Sequence, residues 1–293
     1  VPSFAAIISI LFDGLAYAMV LFIISVGLSI TMGLMGFVNL AHGALAILAA
    51  YLGLVIVQAT GISPFLALLA VVPIMAAVGY LLQWGVFNRA LSMGGLSPLL
   101  AAFGLAVVVT QLLQLRFSAD LQSLQVGSLS VASITITDQI SIGVLPLITF
   151  VVGVVVILGL QIFLSRAPLG RAMRAASDDP QTVPLMGIDN RRVYALATAI
   201  ALATVGIAGM FLGMRGNFNP TYGDAMLIFA FEAVIIGGLG SLWGTLAGGM
   251  VLGIAQTVGA QVNPSYGILI GNLVFLAILA FRPTGLMPKA VTT

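Results

Sequence analysis

Residues 165–192 read SRAPLGRAMRAASDDPQTVPLMGIDNRR and form the one long polar stretch of a 293-residue chain that is otherwise almost entirely apolar. The stretch contains five of the ten basic residues and three of the eight acidic ones. Loops rich in arginine beside apolar spans stay on the cytoplasmic side of a membrane. This stretch therefore predicts the orientation of the other segments, and it is where a soluble partner would bind.

The composition of the whole chain predicts an integral membrane protein. Hydrophobic residues make up 61% of the chain and charged residues 6%, and the mean hydropathy is +1.21, whereas soluble domains have a charged fraction of roughly 25%. The 34 glycines suit helices that pack closely in lipid. Cysteine is absent, which excludes disulfides, and the longest basic run is a pair of arginines, so nucleic acid is not an expected partner.

Helices that cross a bilayer need about 20 apolar residues, and the chain divides into nine apolar segments, five before the polar loop and four after it. We expect a single all-α, polytopic transmembrane domain over residues 1–293, with eight to nine helical segments. Glycine clusters at residues 33–36 and 237–240 predict broken helices, or a re-entrant pair around Gly237, and their similar placement indicates a midplane site. The predicted segments are residues 4–32, 37–57, 64–87, 96–115, 141–164, 193–214, 225–236, 242–262 and 265–281.

The stretches between these segments have their own patterns. A polar turn is expected at Asn88 and Arg89. Residues 118–140 form a loop in which residues 134–138 alternate with period two, so we expect a small β-hairpin on the periplasmic side.

The distribution of basic residues predicts an N-terminus outside the cell and a C-terminus in the cytoplasm. With residues 165–192 inside, only Arg116 and Arg215 fall outside. The residues expected inside are Arg89, Arg166, Arg171, Arg174, Arg191, Arg192, Arg282 and Lys289.

Within the polar loop, local chemistry predicts two short helices at the membrane surface. Residues 170–177 are good helix formers, with Arg171 and Arg174 on one side. Asp179 and Gly187 are the residue types that begin and end a second, shorter helix.

Glu232 is the most conspicuous polar residue of the apolar segments. A charged carboxylate there would cost about 2.5 to 3.5 kcal/mol, so it faces a wet cavity or a partner group, or is protonated. Three roles stay open: a structural carboxyl bonded within the bundle, a lining of a translocation pathway, or an ion-coupling group.

Asn39 and His42 are three residues apart and would share one helical face at the mouth of the second span. A helix cap at Asn39 and a packing role for His42 are the alternatives. A metal site is not expected, since the chain has one histidine and no cysteine.

The chain also lacks the motifs of a motor or an enzyme. There is no G-x-x-x-x-G-K-[ST] phosphate loop and no visible nucleophile–base pair. Any dependence on ATP must therefore come from another subunit.

Several stretches together resemble the LivH/LivM-type permeases of ABC importers of branched-chain amino acids, and the LivH type fits better. The resemblance covers nearly the whole chain. It is carried by NLAHG at residues 39–43, GRAMRA at 170–175 with LMGI at 185–188, GGLGS at 237–241 with Gly244, and PTGL at 283–286.

This resemblance implies a multi-pass permease of the bacterial inner membrane that imports branched-chain or other amino acids, short amides or urea. The implied partners are a second homologous permease, two cytoplasmic ATPase subunits, which bind the ATP, and a periplasmic binding protein; no cofactor is implied in this chain. The residues expected to couple to the ATPases are Gly170, Arg171, Arg174, Ala175, Asp178 and Gly187. Those expected at the pathway or gate are Asn39, His42, Glu232, Gly237, Gly238 and Gly240. The rival hypothesis is a self-sufficient secondary transporter or channel that uses Glu232.

Overall fold

The computed structural model describes residues 4–137 and 140–287, and most of these residues are helical. Lys289 of the charge count and Asp138 of the predicted hairpin lie outside the described residues. The helices are α1 Phe4–Met35, α2 His42–Thr60, α3 Pro64–Leu82, α4 Asn88–Met93, α5 Ser97–Phe117, α6 Val144–Arg166, α7 Pro168–Asp178, α8 Asn190–Arg215, α9 Tyr222–Gly237, α10 Leu242–Val262 and α11 Tyr266–Phe281.

Seven helical runs in the described residues are long and apolar enough to cross a membrane, so the protein is a polytopic membrane protein. They are α1, α2, α5, α6, α8, α10 and the continuous run Pro64–Met93. The shorter helices α9 and α11 have 16 residues each.

The loop between α5 and α6 contains two antiparallel strands, β1 Ser133–Thr137 and β2 Ile140–Gly143, in which Ile134 lies opposite Ile142. The second strand extends past residue 140, where we placed the end of the hairpin region. The physical reason is that Ile140, Ser141 and Ile142 continue the period-two alternation.

Two breaks in the helices lie at equivalent places in the two halves of the chain. Residues 36–41 separate α1 from α2, residues 216–221 separate α8 from α9, and neither segment is helical. Asn39 and Asn219 occupy the same position in these segments. The carbonyl of each accepts the amide N–H of the first residue of the next helix, His42 or Tyr222, at 3.1 Å.

The two halves have opposite orientations. Leu34, near the end of α1, packs with Val193 at the start of α8, whereas Arg215 at the end of α8 lies over the ring of Tyr17 in α1. In this comparison α1, α2 and α3 of the first half correspond to α8, α9 and α10 of the second. The pairs α1 with α10 and α8 with α3 are therefore equivalent, and they have the most extensive contacts. The fold is therefore an inverted repeat.

The first turns of α2 and α9 meet in the middle of the bundle. A Cβ on Gly43 would collide with the carbonyl oxygen of Gly223, so only glycine permits this approach. His42 lies beside the carbonyl of Ile24, well inside the length of α1. From this junction the two helices run to opposite ends of the molecule.

The glycine clusters that we matched in the sequence are not equivalent in the structure. Residues 36–41 correspond to residues 216–221, and the turn at residues 237–240 corresponds to the turn between α2 and α3. In each of these two turns a serine hydroxyl, from Ser63 or Ser241, caps the next helix.

The polar turn expected at Asn88 and Arg89 is wrong, because the third span stays helical to Met93. It passes through a π-helical turn, Gln83–Phe87, and then α4. Gln83 is buried and accepts a hydrogen bond from Thr198 of α8. Hydrogen bonds to α8, from Thr198 to Gln83 and from Asn88 to the carbonyl of Arg191, thus stabilise the helical conformation of this polar stretch.

Candidate functional site

A groove between α5 and α9 contains two adjoining cavities of about 450 and 480 Å³. Leu40 and Leu227 line both cavities. Leu40 belongs to the non-helical residues before α2, so the first helix break places it there.

The first cavity has an entirely apolar surface, to which the one ionisable lining residue, Glu232, contributes only carbon atoms. Glu232 is 4% exposed, and its Oε2 has no hydrogen-bond partner among the described residues. The other lining residues are Val38, Leu40, Leu99, Leu227, Ile228, Phe231 and Phe275.

The second cavity combines amides, hydroxyls and a carboxylate. From α5 it is lined by Thr110, Gln111 and Gln114, and from the start of α9 by Thr221 and Asp224. No arginine or lysine in the described residues lines either cavity. The groove therefore combines an apolar half with a half lined by amides, hydroxyls and the Asp224 carboxylate.

Asn39 and His42 do not share a helical face, because Asn39 lies before α2 begins. The Asn39 carboxamide oxygen accepts the Ala41 N–H at 3.1 Å. Ala41 is the N-cap residue of α2, so this bond closes the turn before the helix, and Asn39 does not cap α2. His42 is fully buried, with Nε2 at 2.7 Å from the carbonyl oxygen of Ile24. Neither residue lines the two groove cavities, and both lie in the packed junction behind them.

Gly237, Gly238 and Gly240 form a close-packed turn at the end of the molecule that carries the polar loop. Gly237 lies against Gly244, and Gly240 against Gly33 of α1. The amides of Leu286 and Met287 donate to the carbonyls of Ile236 and Gly237 at 2.7 and 2.9 Å. These glycines permit helix and chain packing, and they do not line the groove.

The first predicted loop helix is confirmed as α7, which is fixed to the bundle on one side. Gly170, Met173 and Ala176 are buried, and the Ser177 hydroxyl donates to the Gly33 carbonyl at 2.7 Å. α7 is therefore attached directly to the end of α1.

The opposite side of α7 is charged. Arg171, Arg174 and Asp178 are exposed, and Ala175 is partly exposed. Arg171 also donates to the carbonyl of Arg166 at 2.9 Å. Four of the predicted coupling residues therefore share one face of α7. Gly170 is on the other side, against α6, and Gly187 lies after the 3-10 turn outside α7.

The second predicted loop helix is a single 3-10 turn, Val183–Met186, which ends at Gly187 with φ +79°. The side chain of Asp179 accepts the amides of Gln181 and Thr182 at 3.1 Å. Hydrogen bonds from Thr182 and then Gln181 hold the pKa of the Asp179 carboxyl below its ordinary value.

Several residues of these surfaces escaped the sequence analysis. Leu185 and Met186 project from the 3-10 turn with 85% and 74% exposure. Their signal was an apolar pair inside a polar loop. Asp224 and the polar residues of α5 were also missed; their signal was hydrophilic residues at helical spacing within apolar segments.

Comparison with known proteins agrees with this architecture. The family described as "Branched-chain amino acid transport system / permease component" matches residues 10–279. The LivH permease of a high-affinity branched-chain amino acid transport system in Escherichia coli is 27% identical, over 95% of this chain and 94% of LivH. LivM, another permease of that system, is 30% identical over 43% of this chain and 30% of its own length.

The fold also resembles a solved structure, that of PsaBC from Streptococcus pneumoniae in complex with Fab. The two chains superpose with a TM-score of 0.51 at 17% sequence identity, covering 93% of this chain and 91% of the other. This likeness concerns the fold alone.

Proposed function

Because the chain belongs to the family of permease components of branched-chain amino acid transport systems, we propose that it is the membrane-spanning permease subunit of an ATP-driven importer in the bacterial inner membrane. Its substrates are branched-chain or other amino acids, or short amides, delivered by a periplasmic binding protein. Separate cytoplasmic ATPase subunits supply the energy. A second homologous permease completes the pathway; the similarity to both LivH and LivM supports this pairing.

The observation that carries the proposal is the link between the polar loop and the helix bundle. α7 presents arginines on its outer face and is bonded through Ser177 to the carbonyl of Gly33 on its inner side. A rigid helix held in this way transmits a push from a soluble subunit to α1. In this proposal α7 transmits the movement, and a separate ATPase subunit generates it.

The groove between α5 and α9 is the pathway in this proposal. Its apolar walls suit aliphatic side chains, and Asp224 suits the ammonium group of an amino acid. The Glu232 carboxylate is buried beside the apolar cavity and adds negative charge near it without reaching its surface. The groove begins where α2 and α9 start, in the middle of the bundle. Secondary transporters built from inverted repeats bind their substrates at this level, so the position alone suits the rival hypothesis as well.

Reconstitution in liposomes tests the proposal. We expect uptake of radiolabelled leucine only when the partner permease, the ATPases, the binding protein and ATP are all present. An ATPase variant that cannot hydrolyse ATP is the matched control and should abolish uptake. Accumulation driven by an ion gradient with this chain alone would overturn the proposal in favour of a secondary transporter that uses Glu232.

A further inference from the structure

A separate cavity of about 210 Å³ lies at the end of the molecule that carries the polar loop. It sits between the π-helical turn of the third span and the start of α8, away from the groove and from α7. Its lining residues are Trp84, Gly85, Asn88, Arg89, Ser92 and Arg191. Two arginines and no acidic residue face this space, so it is suited to an anion.

Neither of these arginines forms a side-chain ion pair within residues 4–137 and 140–287. The acidic residue beside them, Asp189, pairs with Arg192 at 3.4 Å, and its Oδ1 accepts the backbone amide of Arg191 at 2.9 Å. Arg89 and Arg191 are both exposed and have no acidic neighbour in the cavity wall. An anion bound there would therefore meet two free guanidinium groups.

A chain of hydrogen bonds fixes the geometry of the cavity. Thr198 Oγ1 donates to Gln83 Oε1 at 2.8 Å, Gln83 Nε2 donates to Asn88 Oδ1 at 3.0 Å, and Asn88 Nδ2 donates to the carbonyl of Arg191 at 3.2 Å. Gln83 and Thr198 are buried. These three hydrogen bonds connect the π-helical turn to α8. Arg89 and Arg191, which come from different halves of the sequence, therefore line the same cavity. π-Helical turns often occur at functional sites.

The side of the cavity that continues along the third span is apolar and aromatic. Trp84 is 45% exposed and stacks on Tyr80, with the ring centroids 6.1 Å apart and the planes at 6°. Leu81 and Leu69 on the same helix are 66% and 70% exposed. Tryptophan and tyrosine are enriched where a span meets the lipid head groups, so the cavity lies at that level, with a hydrocarbon-facing surface leading into it.

We propose that this cavity binds the head group of an anionic phospholipid. The phosphate pairs with Arg89 and Arg191, and the Asn88 carboxamide, which donates one Nδ2 hydrogen to the carbonyl of Arg191, offers its second one. The Ser92 hydroxyl donates to the carbonyl of Arg89 at 2.7 Å and so fixes the cavity wall. The acyl chains lie on the exposed face of α3. Basic pockets between spans at this level of a membrane are suited to anionic lipids. The aromatic surface favours a lipid over a free phosphate ion, because only a lipid covers both parts of the site.

Tryptophan fluorescence gives a local test, since the chain has only Trp84 and Trp243. In a Trp243→Phe background, the full chain is reconstituted in nanodiscs with brominated phosphatidylglycerol or brominated phosphatidylcholine. We expect the anionic lipid to quench Trp84 at about tenfold lower mole fraction. Equal quenching by both lipids would overturn the proposal.

Charge-neutral variants of the arginines complete the test. Arg89→Gln with Arg191→Gln should abolish the difference between the two lipids, whereas Arg166→Gln with Arg282→Gln, which neutralises two exposed arginines outside the cavity, should preserve it. Circular dichroism of each variant confirms that the helices are intact. Selectivity that survives in the first variant contradicts the proposal. Selectivity lost on adding inorganic phosphate, but not chloride at equal ionic strength, would assign the site to free phosphate instead.

Discussion

Glu232 is 4% exposed beside the apolar cavity, and its Oε2 has no hydrogen-bond partner among the described residues. Glu232→Gln keeps the size of the side chain and removes its charge. We expect uptake by the reconstituted importer to fall about tenfold, which corresponds to about 1.4 kcal/mol, because the groove loses its inner attraction for an ammonium group. Asp120→Asn, at an exposed carboxyl after α5, is the control and should leave uptake unchanged. Full uptake with Glu232→Gln would exclude a role for its charge.

Gly43 permits the close approach of α2 to α9, and Gly43→Ala tests whether this junction stabilises the fold. The added methyl group meets the Gly223 carbonyl, and overpacking of this kind costs about 1 to 3 kcal/mol. We expect a lower melting temperature for the purified protein in detergent. Gly104→Ala in α5 is the matched control, since a Cβ there has nothing within 4 Å. Equal melting temperatures for the two variants would contradict the junction's importance.

The 3-10 turn after α7 is an element that presents apolar side chains from a polar loop. Leu185 and Met186 are exposed, whereas the apolar residue Met173 of α7 is buried against the bundle. The two side chains of the 3-10 turn are therefore available to a soluble partner. We expect Leu185→Ser with Met186→Ser to weaken binding of the ATPase subunits about tenfold, measured by copurification and by ATPase stimulation.

The control for this element is Met93→Ser with Leu96→Ser. Met93, the last residue of α4, and Leu96, just before α5, are 75% and 69% exposed at the same end of the molecule. Their replacement removes a comparable apolar surface and should leave ATPase binding intact. If both double variants bind the ATPases equally well, the 3-10 turn is not part of the docking surface.

Local chemistry predicted α7 and the stop at Gly187, because both depend on neighbouring residues. The predicted start of the second loop helix at Asp179 is wrong: Asp179 closes a turn by accepting the amides of Gln181 and Thr182, and the 3-10 turn begins at Val183. The start of α2 was harder to predict. Residues 37–41 are mostly apolar yet not helical, and hydropathy cannot distinguish a helix from an extended chain buried among other helices. The second span was therefore expected to begin at Phe37 instead of His42.

Contacts between distant elements could not be read from local patterns either. The groove joins α5 to α9, and the cavity beside the π-helical turn joins Arg89 to Arg191; in both cases the residues are far apart in the sequence. The repeat left one readable trace, an asparagine four residues before a glycine at Asn39 and Gly43 and again at Asn219 and Gly223. Two matching residues in such a short segment are too few to predict a repeat without the structure.

At the scale of the whole molecule, the inverted repeat determines which loops share an end. Three parts of the chain meet around the end of α1: the turn at residues 237–240, Leu286 and Met287 after α11, and α7. The hairpin lies at the other end, where Ser9 of α1 contacts the carbonyl of Ser141. Once one loop is assigned to a side of the membrane, every other loop follows.

The positive-inside rule assigns the α7 end to the cytoplasm, and single cysteines test the assignment directly because the chain has none of its own. Ser128 and Gln181 are exposed residues of the hairpin end and the α7 end. We expect a membrane-impermeant maleimide to label Ser128→Cys in intact cells, and to label Gln181→Cys only after permeabilisation. Labelling of Gln181→Cys in intact cells would place the loop outside, where no ATPase can reach it, and would contradict the importer orientation together with the coupling role of α7.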